Sequence, residues 1–234
     1  MSWLALLLIG VGTADLVRSA GARALLPGGV GAIALVVLGL FAGLTSFADI
    51  AAMVVGVAVV LAWSLLSPHR PRSAISVLAG AVALAILFAA GASEAGGLVG
   101  DWLDDARLPL LHGVDADRAL LVLGVLLTQL TTGNAIVRIV LTLTGSTPPG
   151  TGRSLKGGRL LGPMERLVIL GLGLAGQTTA AGLVIAAKGL IRWPELQSFR
   201  GEEGPSIDEV TEYFLVGSFV SWLVALGSLV LLAT

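Results

Sequence analysis

Four basic residues and one acid gather in the C-terminal third of the chain: Arg159, Glu165, Arg166, Lys188 and Arg192. Together they have the chemistry of an anion site. Guanidinium and ammonium groups bind phosphate, and the free backbone N–H groups at a helix start, here marked by Pro163, add to the attraction. The anion expected at a membrane surface is a lipid headgroup phosphate. A competing reading is structural: Glu165 pairs with Lys188 or Arg192, and the remaining side chains snorkel to the interface.

A second polar group lies in the stretch TQLTTGNAIVR, with Gln129, Thr132, Asn134 and Arg138. Asn134 and Arg138 share one helix face, and Gln129 and Thr132 an adjacent one. Such a stripe either lines a water-filled path or joins helices by hydrogen bonds worth about 0.6–2 kcal/mol each. The third group is Gln177-Thr178-Thr179. It is an ordinary outer turn if the surrounding segment crosses a membrane. If that segment re-enters, the group is irregular backbone at membrane depth, which occurs only beside protein or a cavity.

Other residues carry less chemistry. Asp15 and Arg18 are three apart and are expected to pair, and Asp49 stands at a helix start where the dipole favours an acid. Asp101, Asp104 and Asp105 read as a solvated acidic surface within the amphipathic segment 101–112, with Trp102 at headgroup level. His69 and His112 fall on opposite sides of the topology below, so no metal site is expected. The chain has no Cys, which excludes disulfides, thiol catalysis and iron–sulfur clusters. Neither a Walker loop, GxSxG nor HExxH occurs. No catalytic residue is assigned, and no cofactor or nucleic acid partner is expected.

The elements that position these groups are apolar helices. Of 234 residues, 56% are hydrophobic and 12% charged, with a mean hydropathy of +0.95; soluble domains carry about 25% charged residues. Runs such as LVVLGLFAGL are continuous rather than alternating, which selects helices over a barrel, and the 32 glycines suit close helix packing. Candidate spans lie near 2–17, 29–45, 47–66, 74–92, 119–144 and 212–232, the first read as a retained span rather than a signal peptide. As one helix, 161–193 would be about 50 Å long, well beyond a roughly 30 Å hydrocarbon core. A break at Gly176–Thr179 makes it a hairpin, 163–176 and 178–193, for about eight spans in a single transmembrane domain, 1–234. The first arm, about 21 Å long, leaves crossing and re-entry both open.

Charge supports the break. With the acidic loop 93–117 outside, the loops carrying Arg18/Arg23, Arg70/Arg72 and Arg153/Lys156/Arg159 fall inside, as does 194–211. Given the hairpin, Arg166, Lys188, Arg192 and Arg200 are inside too. Only Arg107 and Arg118 of the 14 basic residues are then clearly outside, and both termini are extracytoplasmic. The loops 146–160 and 194–211 are cytoplasmic, and Ser206 with Glu209 reads as a capping box for the last helix.

The C-terminal third also carries a pattern: GRLLGPMERLVIL, GLVIAAKGLIRWPEL and EYFLVGSFVSW, with Gly158, Arg159, Gly162, Glu165, Arg166, Ala186, Ala187, Lys188, Arg192, Glu195, Glu212, Tyr213, Gly217 and Ser221 at its positions. Over about 65 residues it resembles a family of uncharacterised bacterial integral membrane proteins. The resemblance implies a bacterial plasma-membrane protein and points to the same charged group, without an activity. The leading expectation is a non-enzymatic subunit, scaffold or anchor of a membrane complex, with membrane lipids and other membrane chains or a second copy as partners. A small transporter or channel by the fifth helix and the hairpin, and a lipid-handling protein at the basic cluster, are the alternatives.

Overall fold

The computed structural model describes residues 1–22, 25–106, 113–146, 158–198 and 207–233, with the side chains of 158–159, 191–198 and 207–210 excepted. All regular structure among them is helical. Four helices are long and apolar enough to cross a membrane: Ser2–Ser19, Phe47–Leu66, Ala116–Thr144 and Thr211–Ala233. Three more, Leu26–Phe41, Pro71–Leu87 and Thr178–Leu190, are apolar but shorter. The chain divides into two compact units, Met1–Thr132 and Gly133–Thr234.

The first unit is built around α1 (Ser2–Ser19), which is buried along most of its length. Around it stand α2 (Leu26–Phe41), α3 (Phe47–Leu66), α4 (Pro71–Leu87) and α6 (Ala116–Leu127), while α5 (Gly97–Asp105) is a short helix packed against α2 and α6. Small residues let the backbones meet. A methyl group added at Gly31 of α2 would lie 2.3 Å from the Gly10 carbonyl oxygen of α1, and one at Gly12 would lie 2.6 Å from Leu127 Cβ of α6.

Local signals fix the helix ends. Pro27 and Pro71 stand in first turns, where the missing N–H costs nothing. Ser46 and Asp49 form a capping box at the start of α3, and Asp115 caps α6 by accepting from the Arg118 N–H at 2.7 Å.

Trp–Asp hydrogen bonds tie both ends of α1 to α3. Trp3 Nε1 donates to Asp49 Oδ1 at 2.7 Å, and Trp63 Nε1 donates to Asp15 Oδ2 at 3.0 Å. Start meets start and end meets end, so the two helices are parallel. Arg18 completes the second end, donating to Asp15 at 2.8 Å and to the Ser64 carbonyl at 2.7 Å. The pairing of Asp15 with Arg18 is as the spacing predicts. The Asp49 end also receives Ser93, whose N–H donates to Asp49 Oδ1 at 3.3 Å, and Asp117, which accepts from the Ala95 N–H at 3.0 Å. One end of this unit therefore holds the acidic segment and the other holds Arg18, Arg70 and Arg72.

A π-helical turn, Thr128–Thr132, separates α6 from α7 (Gly133–Thr144) in an otherwise continuous helix. Thr131 Oγ1 donates there to the Gly12 carbonyl at 3.0 Å.

The second unit comprises α7, α8 (Gly158–Leu174), α9 (Thr178–Ser198) and α10 (Ile207–Ala233). Ile169, Ala181 and Ala225 form its buried apolar core, packed by Leu172, Val184, Ile185 and Trp222. The break expected at Gly176–Thr179 is present. Gly176 adopts φ +72°, donates to the Gly173 carbonyl, and is followed by a Gln177 N–H donating to the Leu172 carbonyl at 2.8 Å. This is a Schellman motif, which favours glycine for its left-handed backbone. One expectation is corrected. Pro163 is not at a helix start, because Gly158–Gly162 already forms the first turn of α8. Its backbone therefore exposes no helix-start donors for an anion. The capping box at Ser206 lies outside the described residues, as do Arg23, Arg107, His112, the loop at 147–157, and Arg200.

Candidate functional site

The second unit concentrates its charge in a cluster contributed by all four of its helices. Glu165 and Arg166 are adjacent on α8, so they point to different sides of it. Glu165 turns to α9 and forms a salt bridge with Lys188. Counting from the Gly176 turn, the two lie eleven and twelve residues away, which is why antiparallel arms bring them level. Trp222 Nε1 of α10 donates to the second carboxylate oxygen, Oε1, at 3.3 Å, and Lys188 Nζ lies 6.0 Å from the centre of the Trp222 ring. The ammonium is thus held by a carboxylate and faced by an aromatic ring.

Arg166 turns to α7 and α10 and is 1% exposed. Nη2 donates to Asn134 Oδ1 at 2.9 Å and Nη1 to Ser221 Oγ at 3.1 Å. Gly133 makes room for the guanidinium: a methyl group added there would lie 2.8 Å from Arg166 Cζ. A buried guanidinium keeps its charge only where its donors are matched. Asn134 and Ser221 supply two acceptors here.

The cluster is deeper along the helices than the sequence suggests. Because α8 begins at Gly158 and α9 runs on to Ser198, Glu165 lies about 10 Å from the start of α8 and Lys188 about 15 Å from the end of α9. Of the groups the sequence treated separately, the structure joins Asn134 to Arg166. Arg138, one turn from Asn134, is exposed. Gln129 and Thr132 are buried in the π turn of the first unit, and Gln177 and Thr178 are exposed at the hairpin turn. Arg159 and Arg192 belong to α8 and α9, but their side chains lie outside the described residues. Trp222 and Gly133 were missed by sequence reasoning. An indole in EYFLVGSFVSWLVALG carries no sign of its partner, and a glycine's neighbour is a tertiary fact.

Chemically, the arrangement satisfies charge rather than offering it. Glu165 is occupied by Lys188 and Trp222, and Arg166 by Asn134 and Ser221. Among the described residues no group of three or more His, Asp or Glu could hold a metal ion. In comparison with known proteins, no family model, curated protein or solved structure matches the chain.

Proposed function

We propose that the chain is a polytopic membrane protein that serves as a non-enzymatic subunit or anchor of a membrane complex. The observation that carries this reading is the internal use of charge in the second unit. Glu165, Arg166, Lys188 and Asn134, which would otherwise bind a headgroup phosphate or line a solute path, are bonded to one another or to Ser221 and Trp222, and α9 and α10 present several large apolar side chains outward. Leu183, Leu190, Leu215, Phe219 and Val230 are all exposed. Partner helices in a bilayer meet through small residues. In the first unit, glycines at Gly10, Gly12, Gly31 and Gly124 are already filled by neighbouring helices, whereas no described atom lies within 4 Å of a methyl group added at Gly182 or Gly189 of α9. With Ala186 between them, these residues give a neighbouring helix a place to pack.

Eight crossings correspond to α1, α2, α3, α4, the continuous α6–α7 helix, α8, α9 and α10, with α5 lying on the surface. The separation of acidic and basic residues between the two ends of the first unit supports extracytoplasmic termini and a bacterial plasma-membrane location. The lipid-handling alternative loses Arg166 and Lys188 to internal partners, and the transport alternative loses Asn134.

Purification of the full chain in a mild detergent tests the reading. A stoichiometric partner or homo-oligomer is expected, lost in Gly182→Leu and Gly189→Leu variants that keep wild-type helicity. A clean monomer that moves a solute across liposomes overturns it. Single cysteines introduced at Ser67 and Glu94, in a chain with none of its own, should label from opposite sides with an impermeant maleimide.

A further inference from the structure

The charged cluster of the second unit lies at mid-depth of its apolar helices. Trp222 is the middle residue of the span Thr211–Ala233, eleven residues and about 16 Å from either end. Arg166 of α8 meets Ser221, and a methyl group added at Gly173 would lie 2.6 Å from Leu229, so α8 keeps level with α10 from the cluster to the hairpin turn. Lys188 stands ten residues, about 15 Å, from the start of α9 at that turn. A hydrocarbon core is roughly 30 Å thick, which puts headgroup phosphates about 15 Å away on either side. A counter-charge at this depth comes from protein rather than from a headgroup.

The internal pairing of the cluster leaves a remainder. Glu165 forms the salt bridge with Lys188 and is also the acid whose field reaches Arg166, so one carboxylate serves two cations. Arg166 is buried, whereas 16% of the Lys188 side chain is open. An ammonium has three donors. Among the described residues one goes to Glu165 and the Trp222 ring faces the group, which leaves a donor for a further acceptor. Leu215, Phe219 and Leu226 stand seven and three residues before Trp222 and four after it, on the same side of α10, and all three are exposed. An apolar strip with a partly open ammonium at its middle fits a helix that is apolar except for one central acid.

That helix belongs to a different protein. A second copy packed face to face would set Lys188 against Lys188, and its described acids lie elsewhere. Asp15, Asp49 and Glu165 are buried, and Asp117 and Glu212 stand at the ends of their spans. We propose that the seam of α9 and α10 at Lys188 docks a transmembrane helix of another chain that carries a single Asp or Glu at mid-span. The proposal rests on the subunit reading above and names the chemistry of the partner.

The full chain, labelled with a fluorescent donor at Gln177→Cys, is reconstituted into phosphatidylcholine vesicles with an acceptor-labelled leucine–alanine helix of about 20 residues. The helix carries Glu, Gln or Lys at its centre, or Glu displaced by about 10 Å toward either end. Energy transfer should show the central Glu helix binding about tenfold more tightly than the Gln helix, and the Lys helix not binding. Displacing the Glu should abolish the preference with the protein unchanged, so the result does not depend on a variant folding. Lys188→Gln should abolish it as well. Equal binding of the Glu and Gln helices overturns the acid-bearing partner, as does a preference that survives displacement of the Glu or Lys188→Gln. If a stoichiometric partner still co-purifies with the chain in that case, the subunit reading stands; if the chain purifies as a monomer, both fall.

Discussion

The two units solve the same problem, that of polar groups among apolar helices, in different places. In Met1–Thr132 the charged groups sit at helix ends, where Asp49 meets Trp3 and Asp15 meets Trp63 and Arg18. The middles of those helices are aliphatic side chains and glycines in contact. In Gly133–Thr234 an acid, a lysine and an arginine lie two or more turns inside the helices. Asp15 and Asp49 are buried, but within about a turn of a helix end they can be reached by helix-end and loop groups such as the Ser93 N–H. Groups farther inside a helix have only the side chains of neighbouring helices as partners. The first unit's polar bonds set helix direction and register, and the second unit's hold a cluster that is costly to disturb.

Removing one member of that cluster should have the largest effect. Glu165→Leu leaves the partly buried Lys188 beside Trp222 without its counter-charge, and unfolding in mild detergent should show a loss of about 3 kcal/mol, the low end for breaking a buried pair. The double variant Glu165→Leu/Lys188→Leu should recover most of it, because a buried pair replaced by apolar side chains is close to neutral. A single variant as stable as wild type would break the contrast, since the cluster would then behave like a helix-end pair.

The helix-end bonds should yield a smaller loss. Trp63→Phe keeps the ring but removes the donor to Asp15, which still has Arg18, so about 1.5–3 kcal/mol is expected from a hydrogen bond to a charged group. Thermal unfolding followed by helicity measures it. A loss as large as that of Glu165→Leu would show that Asp15, itself buried, depends on this bond as fully as Lys188 depends on Glu165.

The glycines sharpen the comparison at the low end. Gly31→Ala forces a methyl group onto the Gly10 carbonyl and should cost about 1–3 kcal/mol. Gly182→Ala enters open space on α9 and should fall within about 0.5 kcal/mol of wild type in the purified monomer. A large loss at Gly182 in the isolated chain would mean that the face is already occupied within one copy.

Much of the fold is legible in the sequence, and the reasons are local. Helices follow from continuous apolar runs, the hairpin break from Gly176 and the length limit on a single helix, and the Asp15–Arg18 pair from a three-residue spacing. The level pairing of Glu165 with Lys188 follows once the turn is placed between them. The start of α8 is not legible in the sequence, because Pro163 has the character of a first-turn residue, while the five residues before it are equally able to form a helix. The π turn at Thr128–Thr132 has no sequence mark beyond a cluster of threonines.

Hydropathy and charge distribution by themselves determined that this protein is a set of apolar helices with an acidic and a basic end to its first unit, because burial and solvation act on each segment through its own composition. Which polar side chains meet was decided only by the tertiary structure. Trp3 reaches Asp49 across 46 residues, Trp63 reaches Asp15 across 48, and Arg166 reaches Asn134 across 32 and Ser221 across 55. A rotation of one helix by a single residue, about 100°, would separate each pair. Helix rotation is set by packing, and here the packing depends on glycines at Gly31, Gly12 and Gly133 whose neighbours no local pattern reveals.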